Sequence, residues 1–227
     1  MRFTTAVVVL GFLGSATSPP GSRQTPATGD SYVVGDRVVV VPPPRGYLDA
    51  AARFESARKS FSAEAGNLDL LAVFMTSEDV NAVSQGTPPA LTMYATVKTI
   101  RPLKDRTFSP REFPAIFKAA MGTMTADPRL LEELSDRLGS TLSIGRPLNL
   151  GIVESTATTT SVLQLTRAAV GDATEIIATV SSLMLLNEKI VVITIFRKYA
   201  NVSDLDTLRA FTTDWVDNIR RANMPGR

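Results

Sequence analysis

Glu154 and Glu175 are the residues whose types could do chemistry, since each carboxylate interrupts a run that otherwise reads as a strand. Two acids suffice for glycoside hydrolysis, one donating a proton and the other acting as base or nucleophile. Strand position alone does not bring them together, and a catalytic pair also needs a shaped pocket. The other acid pairs, Glu132-Glu133 and Asp204/Asp206, fall on exposed helix faces or at helix starts, where carboxylates serve solvation and the helix dipole. Ser84, ahead of Gln85-Gly86, is a loop serine with no histidine to activate it. The chain contains neither His nor Cys. That excludes Ser-His triads, Cys-His dyads, disulfides, imidazole proton transfer and most zinc, copper and haem sites. No P-loop, dinucleotide-binding glycine pattern, Gly-x-Ser-x-Gly elbow or calcium loop is present. No catalytic, cofactor-binding or metal-binding residue is therefore assigned, and no metal or redox cofactor is expected to copurify.

Two short stretches, Arg45-Gly46-Tyr47 and Arg197-Lys198-Tyr199, combine a cation with an aromatic ring, a composition enriched at protein interfaces. Their plainer reading is as strand ends meeting solvent. Over 227 residues the formal net charge is +2 with no long run of either sign, so nothing resembles a nucleic-acid footprint.

The chain begins with Arg2, an apolar run from Ala6 to Gly14, and the small residues Gly14-Ser15-Ala16-Thr17-Ser18 before Pro19-Pro20. This pattern predicts a secretory signal peptide over residues 1–18, cleaved near Ala16 to Ser18. About ten apolar residues are too few to cross a bilayer, which takes about twenty. No later stretch is long and apolar enough to span, so no stable membrane insertion is expected of the mature chain. Residues 19–36 read as a flexible leader and 37–227 as one domain, giving a periplasmic or secreted product.

The elements that would position any site follow from periodicity. Arg37 to Val41 is a β-branched strand stopped by three prolines, and Tyr47 to Ala65 keeps helical spacing up to Gly66. Leu68 to Thr76 is a strand, and Thr76-Ser77-Glu78-Asp79 caps a short helix through Val83. In the strand Leu91 to Thr99, Leu91, Met93, Ala95 and Val97 alternate inward against Thr92, Tyr94, Thr96 and Lys98. Ser109-Pro110-Arg111-Glu112 is a capping box, but Pro114 either makes the first turn irregular or delays the helix. A further helix runs from Asp127 to Gly139. Strands Leu148 to Thr156 and Ser161 to Val170 lead through Gly171-Asp172 into a hairpin. Its first strand sets Ile176, Ala178, Val180, Ser182, Met184 and Leu186 on a drier face, with Glu175, Thr179 and Ser181 mainly opposite. Its second, Ile190 to Phe196, is apolar on both faces and belongs at the sheet centre. Ser203-Asp204-Leu205-Asp206 is a capping box opening an amphipathic helix that buries Leu205, Leu208, Thr212, Trp215 and Ile219 and pairs Asp217 with Arg221. Runs of strands with inserted helices predict an α+β fold, a largely antiparallel sheet flanked by helices.

Val41-Pro42-Pro43-Pro44-Arg45-Gly46-Tyr47 resembles the start of PsbP-like domains, and Leu185 to Lys189 through Ile193-Thr194-Ile195 to the last helix resembles their close and that of DcrB-type periplasmic proteins. Tyr47 stands where many relatives carry tryptophan. The resemblance implies a PsbP-like sandwich in an exported accessory or binding protein without chemistry, and supplies no catalytic residues to carry over. Two function classes follow: a non-enzymatic interaction module with an unknown protein partner in the cell envelope, or a carboxylate-dependent hydrolase. A protein binding a small apolar ligand between sheet and helix is a third possibility. A converging acidic cleft would favour the hydrolase, and a filled core with shallow surface grooves the module.

Overall fold

The computed structural model describes residues 31–63, 66–121, 147–170 and 173–224. In chain order they form β1 (Ser31–Val34), β2 (Arg37–Val40), β3 (Tyr47–Asp49), α1 (Ala50–Arg53), α2 (Glu55–Ala63), β4 (Leu68–Thr76), α3 (Ser77–Ser84) and β5 (Met93–Ile100). After a 3₁₀ turn at Arg101–Leu103 come α4 (Phe113–Met121), β6 (Leu148–Ser155), β7 (Thr159–Val170), β8 (Ala173–Leu186), β9 (Lys189–Lys198) and α5 (Ser203–Ala222). Seven strands make one sheet in the order β3-β4-β5-β9-β8-β7-β6, every neighbour antiparallel. The expected α+β class is what the chain adopts.

β9 sits at the middle of that sheet between β5 and β8, as its two apolar faces require. The β8–β9 turn places Asn187 at φ 47° and Glu188 at φ 67°, the doubly left-handed turn that suits the twist of a two-residue hairpin. Glu188 has no glycine's freedom there. It is held by the Phe108 N–H, which donates to its carbonyl at 2.9 Å, and by Arg37, whose guanidinium donates to its carboxylate at 2.6 Å.

α5 lies on one face of the sheet. Leu205, Leu208, Trp215, Val216 and Ile219 close over Phe74, Ala95, Ile193, Ile195 and Val180, and the β1–β2 hairpin completes this layer with Val34 and Val39. α1 and α2 cover Met75, Tyr94 and Phe196 on the other face, while Phe113 of α4 covers Leu183, Leu185 and Ile190. β8 and β5 are therefore buried on both faces, and Thr179 and Thr96 are fully enclosed instead of facing solvent. Alternation misreads them because a sheet covered twice needs no polar face, and hydroxyls tolerate burial better than charges do.

Several other expectations change. The leader was drawn to residue 36, but Ser31–Val34 pairs with Arg37–Val40 through a Gly35-Asp36 turn, and Val34 is in the core. Tyr47 to Ala65 is not one helix: Tyr47–Asp49 pairs with β4, Asp49 caps α1 through the N–H groups of Ala51 and Ala52, and Phe54 breaks the helix in two. The cost of losing helix at Tyr47 is offset by a full row of ladder bonds along β4. α4 starts late, at Phe113, with the Ser109 N–H and hydroxyl both donating to Glu112, so Pro114 falls in the first turn where its missing N–H costs nothing. Asp127 to Gly139, including Glu132-Glu133, and the Gly171-Asp172 turn lie outside the described residues, as do residues 1–18, where a signal peptide is expected.

The box at the start of α5 also works differently. Asn201, not Ser203, is the acceptor, taking the Ser203 N–H and hydroxyl. Asp204 accepts from the N–H groups of Ala200 and Asn201 and is forked by Arg197 Nε and Nη2 at 2.9 and 2.7 Å. Those donors, the Ala200 N–H first, hold the Asp204 carboxyl below its ordinary value against the opposing effect of burial. At the other end Asp217 pairs with Arg220 one step earlier than expected, and Arg221 donates to the Asp217 carbonyl.

Four carboxyls, Asp36, Asp69, Glu112 and Asp204, share this depression. A group whose folded value lies below its unfolded one contributes stability above the unfolded value and loses it as pH falls through the folded one. The Tm should thus be flat from neutral pH to about 5 and fall steeply below about 4. Asp204→Asn should lower the Tm at pH 7 by roughly 3–10 °C, with the gap from wild type narrowing as pH falls below the ordinary aspartate value. A constant gap across a pH series of thermal melts would show that the charge is not what Arg197 and the two N–H groups recognise.

Candidate functional site

The carboxylates that could have formed a catalytic pair do not meet. Glu154 on β6 stands beside Ser161 on β7, which stands beside Ser182 on β8; Glu175 is seven residues further along β8, roughly 23 Å away at strand rise. They also face opposite sides. Glu154 is bound by Arg220 of α5, and Glu175 accepts from Lys198 Nζ at 3.1 Å. Each acid belongs to a separate ion pair, so no acidic cleft converges at Glu154 and Glu175. Asp206 pairs with Arg209, and the Ser84 hydroxyl donates to the Asn81 carbonyl within its own helix. Ser56 and Lys59, at a Ser-x-x-Lys spacing, are both exposed on α2, with Lys59 leaning on Glu55. Among the described residues no cluster of three potential metal ligands occurs, and no helix is long and apolar enough to cross a membrane.

The two cation–aromatic stretches lie at the same end of the sheet, because antiparallel registers align Tyr47 with Thr76, and Met93 with Arg197, there, with β4 and β5 between them. They are committed to the fold. Arg197 forks onto Asp204, and the Tyr47 ring tilts against Phe211 at 5.3 Å. Burial pushes the Tyr47 hydroxyl up from its ordinary value, with Arg197 opposing and Asp79 adding; burial and then Asp204 do the same to Tyr199. The layer between sheet and α5 is filled by Trp215, Phe74 and their neighbours.

What the surface does offer is a groove of about 290 Å³ beside the β1–β2 hairpin, lined by Val33, Val34, Gly35, Asp69, Leu71, Thr99, Lys104 and Asp105. Three elements build it. β1 and its turn form one wall, held in place by Lys189, a fully buried residue whose Nζ donates to Asp36 at 2.7 Å and to the Arg106 carbonyl at 3.1 Å. Gly35 lies so close to the opposite loop that a Cβ would meet the Lys104 carbonyl at 2.3 Å. β4 and β5 supply the floor. There Leu70 pairs with Lys98 and Ala72 with Val97, so Leu71 is an extra residue, a bulge that re-aims its side chain. The loop after the 3₁₀ turn supplies Lys104 and Asp105 as the far wall.

Charge in the groove is partly balanced. Asp69 takes Arg101 at 2.6 Å and Lys104 at 3.5 Å, and the Arg101 bond holds its carboxyl below the usual range. Asp105 has no ion pair or hydrogen bond with any described residue. Above the groove Val33 and its cross-strand partner Val38 are 72% and 51% exposed, an apolar pair on the outer face of the hairpin. Sequence reasoning missed this site because its lining draws on four separate stretches. The one local signal was Gly35-Asp36 between Val34 and Arg37, a two-residue turn with glycine first.

No protein-family model and no curated protein matches the chain. Among solved structures it is similar to the Ran-binding protein Mog1p of Saccharomyces cerevisiae, at 16% identity over 81% of this chain and 87% of that one, with a TM-score of 0.36. It is also similar to a point mutant of Mog1, at 17% identity over 84% of this chain and 93% of that one, again with a TM-score of 0.36. At those scores the likeness lends no partner and no activity to this chain.

Proposed function

We infer that this protein is an exported, non-enzymatic accessory or interaction module that acts on a protein partner in the cell envelope. One observation carries the reading: the candidate acids Glu154 and Glu175 are each neutralised by a separate cation on opposite faces of a filled sheet, while a structured groove opens at the surface. Among the described residues the candidate acids do not converge, whereas recognition has a built wall, floor and rim. The signal-peptide pattern at residues 1–18 and the resemblance of Val41 to Tyr47 and of the closing hairpin to PsbP-like and DcrB-type proteins support export and an accessory role.

The test is affinity capture of the chain from its own envelope fraction, with N-terminal sequencing of the recovered protein. A processed form beginning near residue 17, holding a stoichiometric protein partner, is the expected result. A full-length cytosolic species would overturn export, and turnover of a glycoside or ester that is lost in Glu154→Gln would overturn the non-enzymatic role.

A further inference from the structure

The two edges of the β1–β2 hairpin are treated differently. In an antiparallel pair, alternate residues turn their N–H and C=O groups inward to the partner and outward to the other side. On β2 the outward residues are Val38 and Val40, and their groups are largely taken: Asn187 Nδ2 donates to the Val38 carbonyl at 2.8 Å, while the Asn223 side chain accepts from the Val40 N–H at 2.9 Å and donates to its carbonyl at 2.6 Å. By the same register their partners Val33 and Ser31 turn outward on β1. No described residue bonds to the Val33 main chain, and its edge runs along the groove.

Resting on the reading of the protein as an interaction module, we propose that this groove takes one extended segment of a protein partner, added as a strand to β1 and carrying alternating apolar and basic residues. The open N–H and C=O of Val33 supply the ladder, as in other strand-addition sites. Val33, 72% exposed, and the bulged Leu71 supply apolar contact, and Asp105 supplies a counter-charge for a base. Charge decides against a second copy of this chain. An isologous contact would bring the same patch from both sides and set Asp105 near its own image, whereas a Lys or Arg answers it.

The experiment uses the full chain and pooled acetylated octapeptides alternating Val or Ile with Lys or Arg, against a second pool with Glu or Asp in the charged positions. Fluorescence polarisation should show saturable binding of the basic pool only, and amide exchange at Ser31 and Val33 should slow on binding. Val33→Pro removes an outward N–H that the β1–β2 ladder does not use, so the hairpin keeps its bonds; affinity should fall about tenfold or more. Asp105→Asn should cost about three- to tenfold and erase the preference for the basic pool. Should Val33→Pro unfold, exchange on wild type and Asp105→Asn decide the matter together. Binding by neither pool, binding that leaves the Ser31 and Val33 amides unchanged, or a concentration-dependent dimer that Val33→Pro abolishes would each overturn the proposal. A partner captured from the envelope equally well by wild type, Val33→Pro and Asp105→Asn would sink this site while leaving the interaction module intact.

Discussion

Trp215→Ala should lower the Tm by roughly 6–20 °C. The indole is 2% exposed and meets the Phe74 ring edge-on at 5.5 Å and 90°, with Phe211 at 6.1 Å on its other side. Its Nε1–H donates to the Pro42 carbonyl at 2.7 Å, which ties α5 to the segment leaving β2. Truncation removes the transfer energy of a large aromatic, leaves a cavity, and strands that carbonyl, together about 3–5 kcal/mol. Each kcal/mol is worth roughly 2–4 °C in a domain of this size. The native protein should emit at short wavelength and shift red on unfolding, since Trp215 is the single tryptophan. Asp214→Ala, on the exposed side of the same helix, should move the Tm by only about a degree or two. Equal melting of the two variants would mean that α5 does not dock through this ring.

Gly35→Ala should be nearly as damaging, although it adds a single methyl. The residue sits at φ +60°, where a side chain is strained, and the added Cβ would stand 2.3 Å from a backbone carbonyl and 3.0 Å from Lys189 Nζ. A backbone atom cannot swing aside as the tip of a side chain can, so the turn must lift. Lifting takes Asp36 from Lys189 and leaves a fully buried ammonium with one neutral acceptor. The combined cost is about 3–5 kcal/mol. Gly46, Gly66 and Gly86 provide the comparison, because each also has positive φ but meets nothing within 4 Å. Alanine there should cost about 1 kcal/mol. Thermal melts of the four variants give the answer, and Gly35→Ala melting with the other three would mean that the hairpin is not pressed on the Lys104 loop.

Local pattern made some of this architecture legible. The β8–β9 hairpin, its central position and the buried stripe around Trp215 all come from apolar periodicity over contiguous residues, where burial and sequence order agree. Faces and caps were harder. Thr96 and Thr179 look like surface residues in the sequence and are enclosed, because which faces are covered depends on helices elsewhere in the chain. Asn201 and Asp204 replace Ser203 at the start of α5 because Arg197, brought in from β9, rewards a carboxylate at that point. The groove was beyond reach. Val33, Leu71, Thr99 and Asp105 have no common spacing, and only the sheet register and the seating of Gly35 bring them together.

The side chain of Asn223 does for Val40 what a peptide group of a neighbouring strand would do, presenting an acceptor and a donor at the right separation. Valency is the consequence. A hairpin with two bare edges is bifunctional, and a unit that can pair on both sides propagates into a filament; a hairpin with one edge stoppered by its own chain is a terminator, able to accept a single strand and then stop. With Asn223 and Asn187 on β2, a strand that paired with β1 would do so one to one.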